Sequence, residues 1–364
     1  VVVNEFNLNR INVFPVPDGD TGTNLSLTMN RIIEGTQKMK NVSEQIHHIA
    51  SIALNNAYGN SGMIFAQYLN GLALAFKEKT TISPTELSHG FKVAFEQALA
   101  SVSHPKEGTI LTVMKEWSSH WDNALSTNFE HVFEDVLKHL KEGVEKTKTQ
   151  LKVLKDNNVV DAGAMAFFYF MEGVFRFIQT RNLDNLHFTA NTLEWISEPT
   201  ASLEIGDYRY CTQYMLKTDH SLQEIQTYLE AWGDSLVINQ NEDSISIHFH
   251  TNEPNTVMKQ LVKWGTVRSH KVDDMKLQAH LIHQKKSSIA IITDSIADLP
   301  RSAIDNDHLV VIPMNIIVDS TVYMDKVTMT AEDFYPHLDE YQLNPSSSQP
   351  TVSSLERQLK SILN

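Results

Sequence analysis

The stretch Asn12-Val-Phe-Pro-Val-Pro-Asp18-Gly-Asp20-Thr21-Gly22-Thr23-Asn24 constrains this chain more than any other. It is a short apolar run that ends in two carboxylates set among glycines and hydroxyls. Asp18 and Asp20 stand two apart, so a tight turn through Gly19 can aim both at one hard cation. Such cations take oxygen ligands, commonly one or two carboxylates plus phosphates. Residues 24–35 follow with Leu25, Leu27, Met29, Ile32 and Ile33 at roughly helical spacing, which predicts a helix opening out of the acidic loop. The first N–H groups of a helix have no partner and its dipole is positive there, so a phosphate is favoured at that point. An EF-hand is excluded by spacing, because its third oxygen ligand would fall on Gly22 and its Glu on Met29. A plain polar turn with a Thr or Asn cap remains the alternative on the motif alone.

Three further small-residue turns each feed a helical pattern in residues 1–195: Ala57-Tyr58-Gly59-Asn60-Ser61-Gly62, Lys106-Glu107-Gly108-Thr109 and Val160-Asp161-Ala162-Gly163-Ala164. One such turn is a helix cap. Four in one domain suggest helix N-termini gathered at one end of a bundle around an anion. Neither the P-loop pattern nor a strand-embedded GxGxxG is present, so the common nucleotide folds do not explain them.

The run VFPVPDGDTGTNLSLTM resembles the opening of the DhaL (DAK2) domain of the dihydroxyacetone kinase superfamily, in the form carried by bacterial fatty acid kinase A-like proteins. Gly-Asn-Ser-Gly, Glu-Gly-Thr-Ile-Leu-Thr-Val and Val-Val-Asp-Ala-Gly are similar to its later motifs, in the same order. The resemblance implies an all-α, eight-helix DhaL-type barrel over residues 1–195 that binds ATP at one end with Mg²⁺. Asp18 and Asp20 would hold Mg²⁺ together with Asn12, the counterpart of a further acidic ligand in the dihydroxyacetone kinases. Thr21, Thr23 and Asn24 would approach the phosphates. Asn60, Ser61 and Gly62 would cover the nucleotide, and Gly108, Thr109, Asp161 and Gly163 would line its pocket. Tyr58 and Asn70 stand where the family more often has Arg. Phosphoryl transfer asks mainly for positioning and for cations that neutralise charge, which suits these residue types.

Near Glu198-Pro199 the pattern changes. Residues 207–218 alternate as a strand, 221–232 read as a helix, SLVINQ and SISIHFH form a hairpin about residues 241–243, and 254–264 form a helix capped by Thr251 or Asn252. The order β-α-β-β-α predicts a small ferredoxin-like α+β domain over 196–285. His248 and His250 fall on one strand face. With Cys211 they could form a zinc site, or they are two surface histidines and a core cysteine. YRYCTQYML and HFHTNEP are similar to segments of fatty acid kinase A, and VDDMKLQAH continues that match. The resemblance implies that Cys211, His248 and His250 bind Zn²⁺.

Lys285-Lys286 marks a boundary into α/β patterning over 286–364: a buried-strand run followed by Asp294-Ser295 and a helix start, then VVIPMNIIVDS as a second apolar strand. ITDSIADLP, VIPMNIIVD and SSSQPT resemble the start of a DegV family (fatty acid kinase B-like) domain. Only about its first quarter is covered, so the lipid site is expected to be incomplete. There Asp294, Ser295 and Ser347 would line the carboxylate end of a fatty acid site.

These readings predict an ATP-dependent kinase that converts a fatty acid, presented by a DegV-type carrier domain or protein, to an acyl phosphate for lipid synthesis. The alternatives are a glycerone-type kinase acting on a small polyol or ketone, and a non-catalytic lipid-binding or regulatory remnant. A net charge of −14, without a long Lys/Arg cluster, argues against a nucleic acid partner. A single cysteine rules out an intrachain disulfide and suits the cytoplasm. No apolar run of transmembrane length appears, so integral membrane association is not expected. The sequence leaves a homodimer open. It starts without Met and stops within a helical pattern, as a fragment would.

Overall fold

A computed structural model of the protein describes residues 1–121, 129–181, 206–240, 243–283, 289, 291–300, 303, 309–352, 354–355 and 358–359. The expected domain boundaries near 195 and 285 lie outside these residues. The chain forms two compact units, Val1–Glu204 with Val237–Asn241, and Ile205–Leu236 with Glu242–Asn364. Among the described residues no helix is long and apolar enough to cross a membrane.

The first unit is helical. Its α-helices are α1 (Glu5–Arg10), α2 (Thr21–Gly35), α3 (Val42–Asn56), α4 (Gly59–Ala75), α5 (Pro84–Ala100), α6 (Ile110–His120), α7 (Phe129–Gln150), α8 (Lys152–Asn157) and α9 (Ala162–Thr180). Local chemistry sets many of the starts. Asn41 caps α3 by accepting from the Glu44 N–H, and Ser83 and Glu86 close a capping box at α5 with Pro84 in the first turn. The helix expected at 24–35 begins earlier, at Thr21, because Asp20 already accepts the Asn24 N–H on its carbonyl.

Neighbours pack in sequence order from α2 to α7, and α9 returns to α1, α2, α6 and α7. Inside lies a continuous apolar core that includes Phe65, Met114, Trp117, Leu140 and Phe167. Trp117 sits at its centre, with the rings of Phe91 and Phe133 edge-on at 5.5 and 5.2 Å. Aromatic contacts of this geometry contribute beyond the area they bury. Gly71 lets α4 and α5 touch backbone to backbone, since a Cβ there would stand 2.4 Å from Ala94 Cα. These contacts fix where the N-termini of α2, α4, α6 and α9 end up.

The middle part of the chain forms β1 (Tyr210–Thr218), α10 (Leu222–Glu230), β2 (Gly233–Gln240), β3 (Ile245–Thr251), α11 (Pro254–Trp264), β4 (Gly265–Asp274) and α12 (Met275–His283). Its sheet runs β2-β3-β1-β4, with β1 antiparallel to both β3 and β4. β4 went unread in the sequence, because GTVRSHKVDD mixes polar and charged residues along an edge strand. Residue 253, and neither Thr251 nor Asn252, caps α11. Thr251 is still in β3, and its hydroxyl donates to Trp232 O.

The DegV-like residues follow as a parallel pair, β5 (Ile291–Asp294) and β6 (Leu309–Ile312), and a sheet β8-β7-β9 made of β7 (Asn315–Val318), β8 (Thr321–Met324) and β9 (Ser346–Ser348). The run VVIPMNIIVDS is two strands, β6 and β7, because Pro313 has no N–H to continue a ladder. β5 is exposed at Ile291 and Ile292, where the apolar run suggested a buried strand. After Asp294 the chain makes a turn, and most of the stretch on which a following helix would fall lies outside the described residues. The Asp294 carboxylate accepts the Ile296 N–H, which closes the turn locally.

Asp161 shows how burial and capping compete. Its carboxylate caps α9 by accepting the Ala164 N–H at 2.7 Å, and its own N–H donates to the buried Thr147 hydroxyl. Burial nonetheless pushes the carboxyl up from 3.8 to about 7, against the backbone N–H groups of Ala164, Ile110 and Gly163 that favour the anion. The folded state therefore prefers the protonated acid. Stability contributed below pH 3.8 is lost as pH rises through the interval up to about 7. Asp161→Asn keeps an acceptor for Ala164 and cannot ionise. Its urea midpoint is expected to exceed wild type at pH 8 and to converge with it at pH 4; parallel pH profiles for the two proteins would contradict this.

Candidate functional site

Asp18 and Asp20 bracket Gly19, whose φ of +65° makes the tight reversal between them. Asn12 braces the loop from behind. Its amide nitrogen donates to Asp18 Oδ1 at 2.6 Å and to Val16 O at 3.2 Å, while its carbonyl accepts the Thr21 hydroxyl at 2.5 Å. Asn12 is thus buried and engaged at both ends of its amide. Burial first, then the charge of Asp20, pushes the Asp18 carboxyl well above the usual carboxylate range, and the Asn12 hydrogen bond works the other way. Two carboxylates in one partly buried turn resist joint ionisation until a cation joins them.

The loop meets the second turn. Asn24 lies against Gly59, where a Cβ would come within 2.5 Å of Asn24 Nδ2, and Gly59 takes a φ of +64° that other residues adopt at a cost. Thr28, one helical turn on, accepts the Tyr58 N–H at 3.1 Å and donates to Asn24 O at 2.8 Å. The second turn meets the other two: a Cβ on Gly163 would stand 3.0 Å from Ser61 Oγ and 3.2 Å from Ile110 Cβ. The structure therefore draws together the Asp18–Asn24 loop, residues 58–62, the start of α6 beside Thr109, and Asp161 with Gly163.

The four helix starts are not equivalent. Asp161 fills the N-terminus of α9, and Thr109 and Thr112 form a capping box at α6. α2 and α4 begin without a side-chain bond from their N-cap residues; in α2 the Thr23 N–H is taken by Asn9 Oδ1, and the other opening N–H groups of the two helices are suited to an anion. Asn60 Oδ1, in the first turn of α4, is buried and makes no hydrogen bond among the described residues, so it is suited to accept from a bound group. The remaining expected contacts sort by what already holds them. Thr23 faces α1, with its N–H donating to Asn9 Oδ1 and its hydroxyl to Glu5 Oε1. The Thr109 hydroxyl donates to Lys106 O. Gly108, at φ +86°, packs against Gln150 and Leu151 at the end of α7. Gly62 lies over Thr28 Oγ1. Thr28 and Thr147, both fully buried, were missed by the motif reading. The one signal for Thr28 is a hydroxyl on an apolar helix face, and Thr147 is hidden in the polar run KTKTQ.

In the second unit, Cys211, His248 and His250 form a buried cluster whose ligand atoms all lie within 4.8 Å of one another. Register explains it. Cys211 pairs with His250 across β1 and β3, and His248 follows two residues away on the same face. Cys211 Sγ stands 3.8 Å from His248 Nε2. A tetrahedral ion with bonds of about 2.0–2.3 Å spaces its ligands by roughly 3.5 Å, so the cluster fits zinc after a small contraction. Burial holds the His248 imidazole well below its usual pKa, in the neutral form that can ligate. Asp234 lies 3.5 Å from His250 Nδ1, as a carboxylate does that orients a ligating ring.

In the DegV-like region Ser295 is buried, its N–H donating to Ile312 O and its hydroxyl accepting the Met314 N–H. Ser347 is exposed on β9 opposite Ile316 of β7. The adjacent Asn315 donates to Ser348 Oγ and Gln349 O, so residues 313–315 lie between Asp294–Ser295 on one side and Ser347 on the other.

Residues 15–176 match the family model of the DAK2 domain, 207–282 that of the fatty acid kinase A-like middle domain, and 288–364 that of the DegV family. The chain is 29% identical over 333 residues to an uncharacterised protein of Mycoplasma genitalium, covering 83% of this chain and 59% of that one. It is 32% identical over 313 residues to the Mycoplasma pneumoniae homologue (76% and 54%) and 28% identical over 297 residues to an uncharacterised Staphylococcus aureus protein (78% and 54%). The chain thus spans a little over half the length of these curated relatives. In chain order it is a DAK2 domain, a fatty acid kinase A-like middle domain and DegV family sequence fused in one polypeptide.

Proposed function

We propose that the helical unit is an ATP- and Mg²⁺-dependent phosphotransferase of the eight-helix DhaL type. It would act in the cytoplasm and convert a fatty acid carboxylate, presented by a DegV-type carrier, to an acyl phosphate for lipid synthesis. The observation that carries the reading is the partly buried Asp18–Asp20 turn at the start of α2, joined through Asn24 and Gly59 to the start of α4, neither helix having a side-chain bond from its N-cap residue. Asp18 and Asp20 would hold Mg²⁺, which supplies neutralising charge at the phosphates. Asn12 fixes the Asp18 carboxylate, and N–H groups opening α2 and α4 receive phosphate oxygens. Asn60 Oδ1 accepts from the bound nucleotide.

In the reaction a carboxylate oxygen of the fatty acid attacks the γ-phosphorus, a new C–O–P linkage forms, and the bond to the bridging oxygen of ADP breaks. The attacking group is already an anion at neutral pH. No proton has to be removed from it. A polyol would call for a base to take its proton.

The β-α-β-β-α-β order and the sheet order β2-β3-β1-β4 fit the ferredoxin-like arrangement for the middle domain. There Cys211, His248 and His250 would hold one Zn²⁺ in a structural role. The expected result is close to one equivalent of zinc in purified protein, with loss of zinc and a lower thermal midpoint in Cys211→Ser. Zinc retained in that variant would remove the assignment.

The kinase reading is tested by thermal unfolding with ATP, with and without Mg²⁺. A ligand that binds only the native state at about 100 times its Kd adds about 2.7 kcal/mol. Wild type should show a Mg²⁺-dependent shift that Asp18→Ala lacks. It should also release ADP when a fatty acid and its carrier are added. A Mg²⁺-dependent shift of wild-type size in Asp18→Ala would defeat the site assignment, and nucleotide binding without fatty-acid-dependent ADP release would defeat the substrate assignment.

A further inference from the structure

Apart from Val237–Asn241, the middle domain falls in one compact unit with the DegV-like residues, and the segment from Lys326 to Asp333 bonds to both. Asp333 lies on the short helix α13 (Ala331–Phe334). Its carboxylate accepts from Asn255 Nδ2 and from the Thr330 hydroxyl, at 2.5 and 2.8 Å, and forms an ion pair with Lys259. Asn255 and Lys259 are both on α11, four residues apart, so they present their donors on one face. Burial works against the Asp333 anion. The Lys259 ammonium, Asn255 and Thr330 outweigh it and hold the carboxyl down at about 2.

A second contact lies on β4. The buried Thr328 hydroxyl is 3.3 Å from His270 Nε2. Burial keeps His270 neutral, with a pKa of about 4, so its Nε2 can accept and Thr328 can donate. His270 in turn stacks on Tyr214, whose ring is fully buried in the middle domain's core.

The same segment reaches the other way. Lys326 takes a φ of +62°, a strained choice for a residue with a side chain, and its N–H donates to Met329 O. From there Lys326 Nζ donates to Ser295 O at 2.9 Å. The loop between these points is wired to itself, with the Met324 N–H on Thr328 Oγ1 at 2.8 Å. One short segment thus touches α11 and β4 at one end and the Asp294–Ser295 turn at the other.

We propose that Lys326–Asp333 is a clip that docks the DegV-like region on the middle domain and sets the position of the Asp294–Ser295 turn. The clip would make the carrier segment and the domain bearing the Cys-His-His cluster move together. The carrier role of the segment rests on the proposed function; its docking is tested without lipid, nucleotide or metal.

Hydrogen exchange of the whole chain tests it. Asp333→Asn and Asp333→Lys should each raise exchange by roughly five-fold or more both at residues 321–334 and at 291–295, while the helical unit keeps its wild-type rates. Lys326→Met should raise exchange at 291–295 and leave 254–264 unchanged. The exchanged pair Lys259→Asp with Asp333→Lys restores the ion pair and should return protection towards wild type, which separates docking from a general failure to fold. Wild-type exchange at 291–295 in Asp333→Lys, or no recovery in the exchanged pair, would overturn the proposal.

Discussion

Two carboxylates that cannot comfortably be charged together organise the helical unit. Asp18 and Asp20 are held in one tight turn by Gly19, braced by Asn12, and partly shielded from water. That arrangement costs stability unless a cation enters, so the fold has to supply it from elsewhere. The aromatic core around Trp117 and the backbone contact at Gly71 supply rigidity of that kind. The same packing places the starts of α2 and α4 beside the acidic turn. A destabilised turn in a well-packed frame is the usual condition of a binding site.

Much of this was legible in the sequence because it rests on local chemistry. Two Asp around a Gly, and small residues ahead of apolar helices, report turns and helix starts directly. Cys211, His248 and His250 were legible for a related reason, since alternation along a strand places His248 and His250 on one face. Register was not legible. The pairing of Cys211 with His250 depends on contacts between residues far apart in the chain. The roles of Thr28 and Thr147 were hidden in the same way, because a hydroxyl in a helix shows its partner only when a second helix is placed against it. β4 was missed because its polar, charged composition carries no clear alternation, and Pro313 divided what read as one strand.

The two ends of the second unit show how a short segment can carry a connection that composition does not reveal. Thr328, Asp333 and Lys326 sit in a stretch that reads as an ordinary polar loop. Their significance comes from His270, Asn255, Lys259 and Ser295, each tens of residues away. A lipid-carrying segment held in this manner would have a fixed relation to the domain beside it, where a flexible linker would leave the two independent.

The claim on which the account stands is that the Asp18–Asp20 turn is a divalent-cation site, and the proton it holds offers a direct test. Metal binding requires deprotonated ligands and therefore releases whatever proton the site retains. Calorimetric titration of Mg²⁺ with ATP into the protein, repeated at one pH in buffers of different ionisation enthalpy, measures that proton. The account predicts a buffer-dependent enthalpy that reports proton release, growing as pH is lowered and absent in Asp18→Asn. A buffer-independent enthalpy in wild type, or the same release in Asp18→Asn, would contradict it.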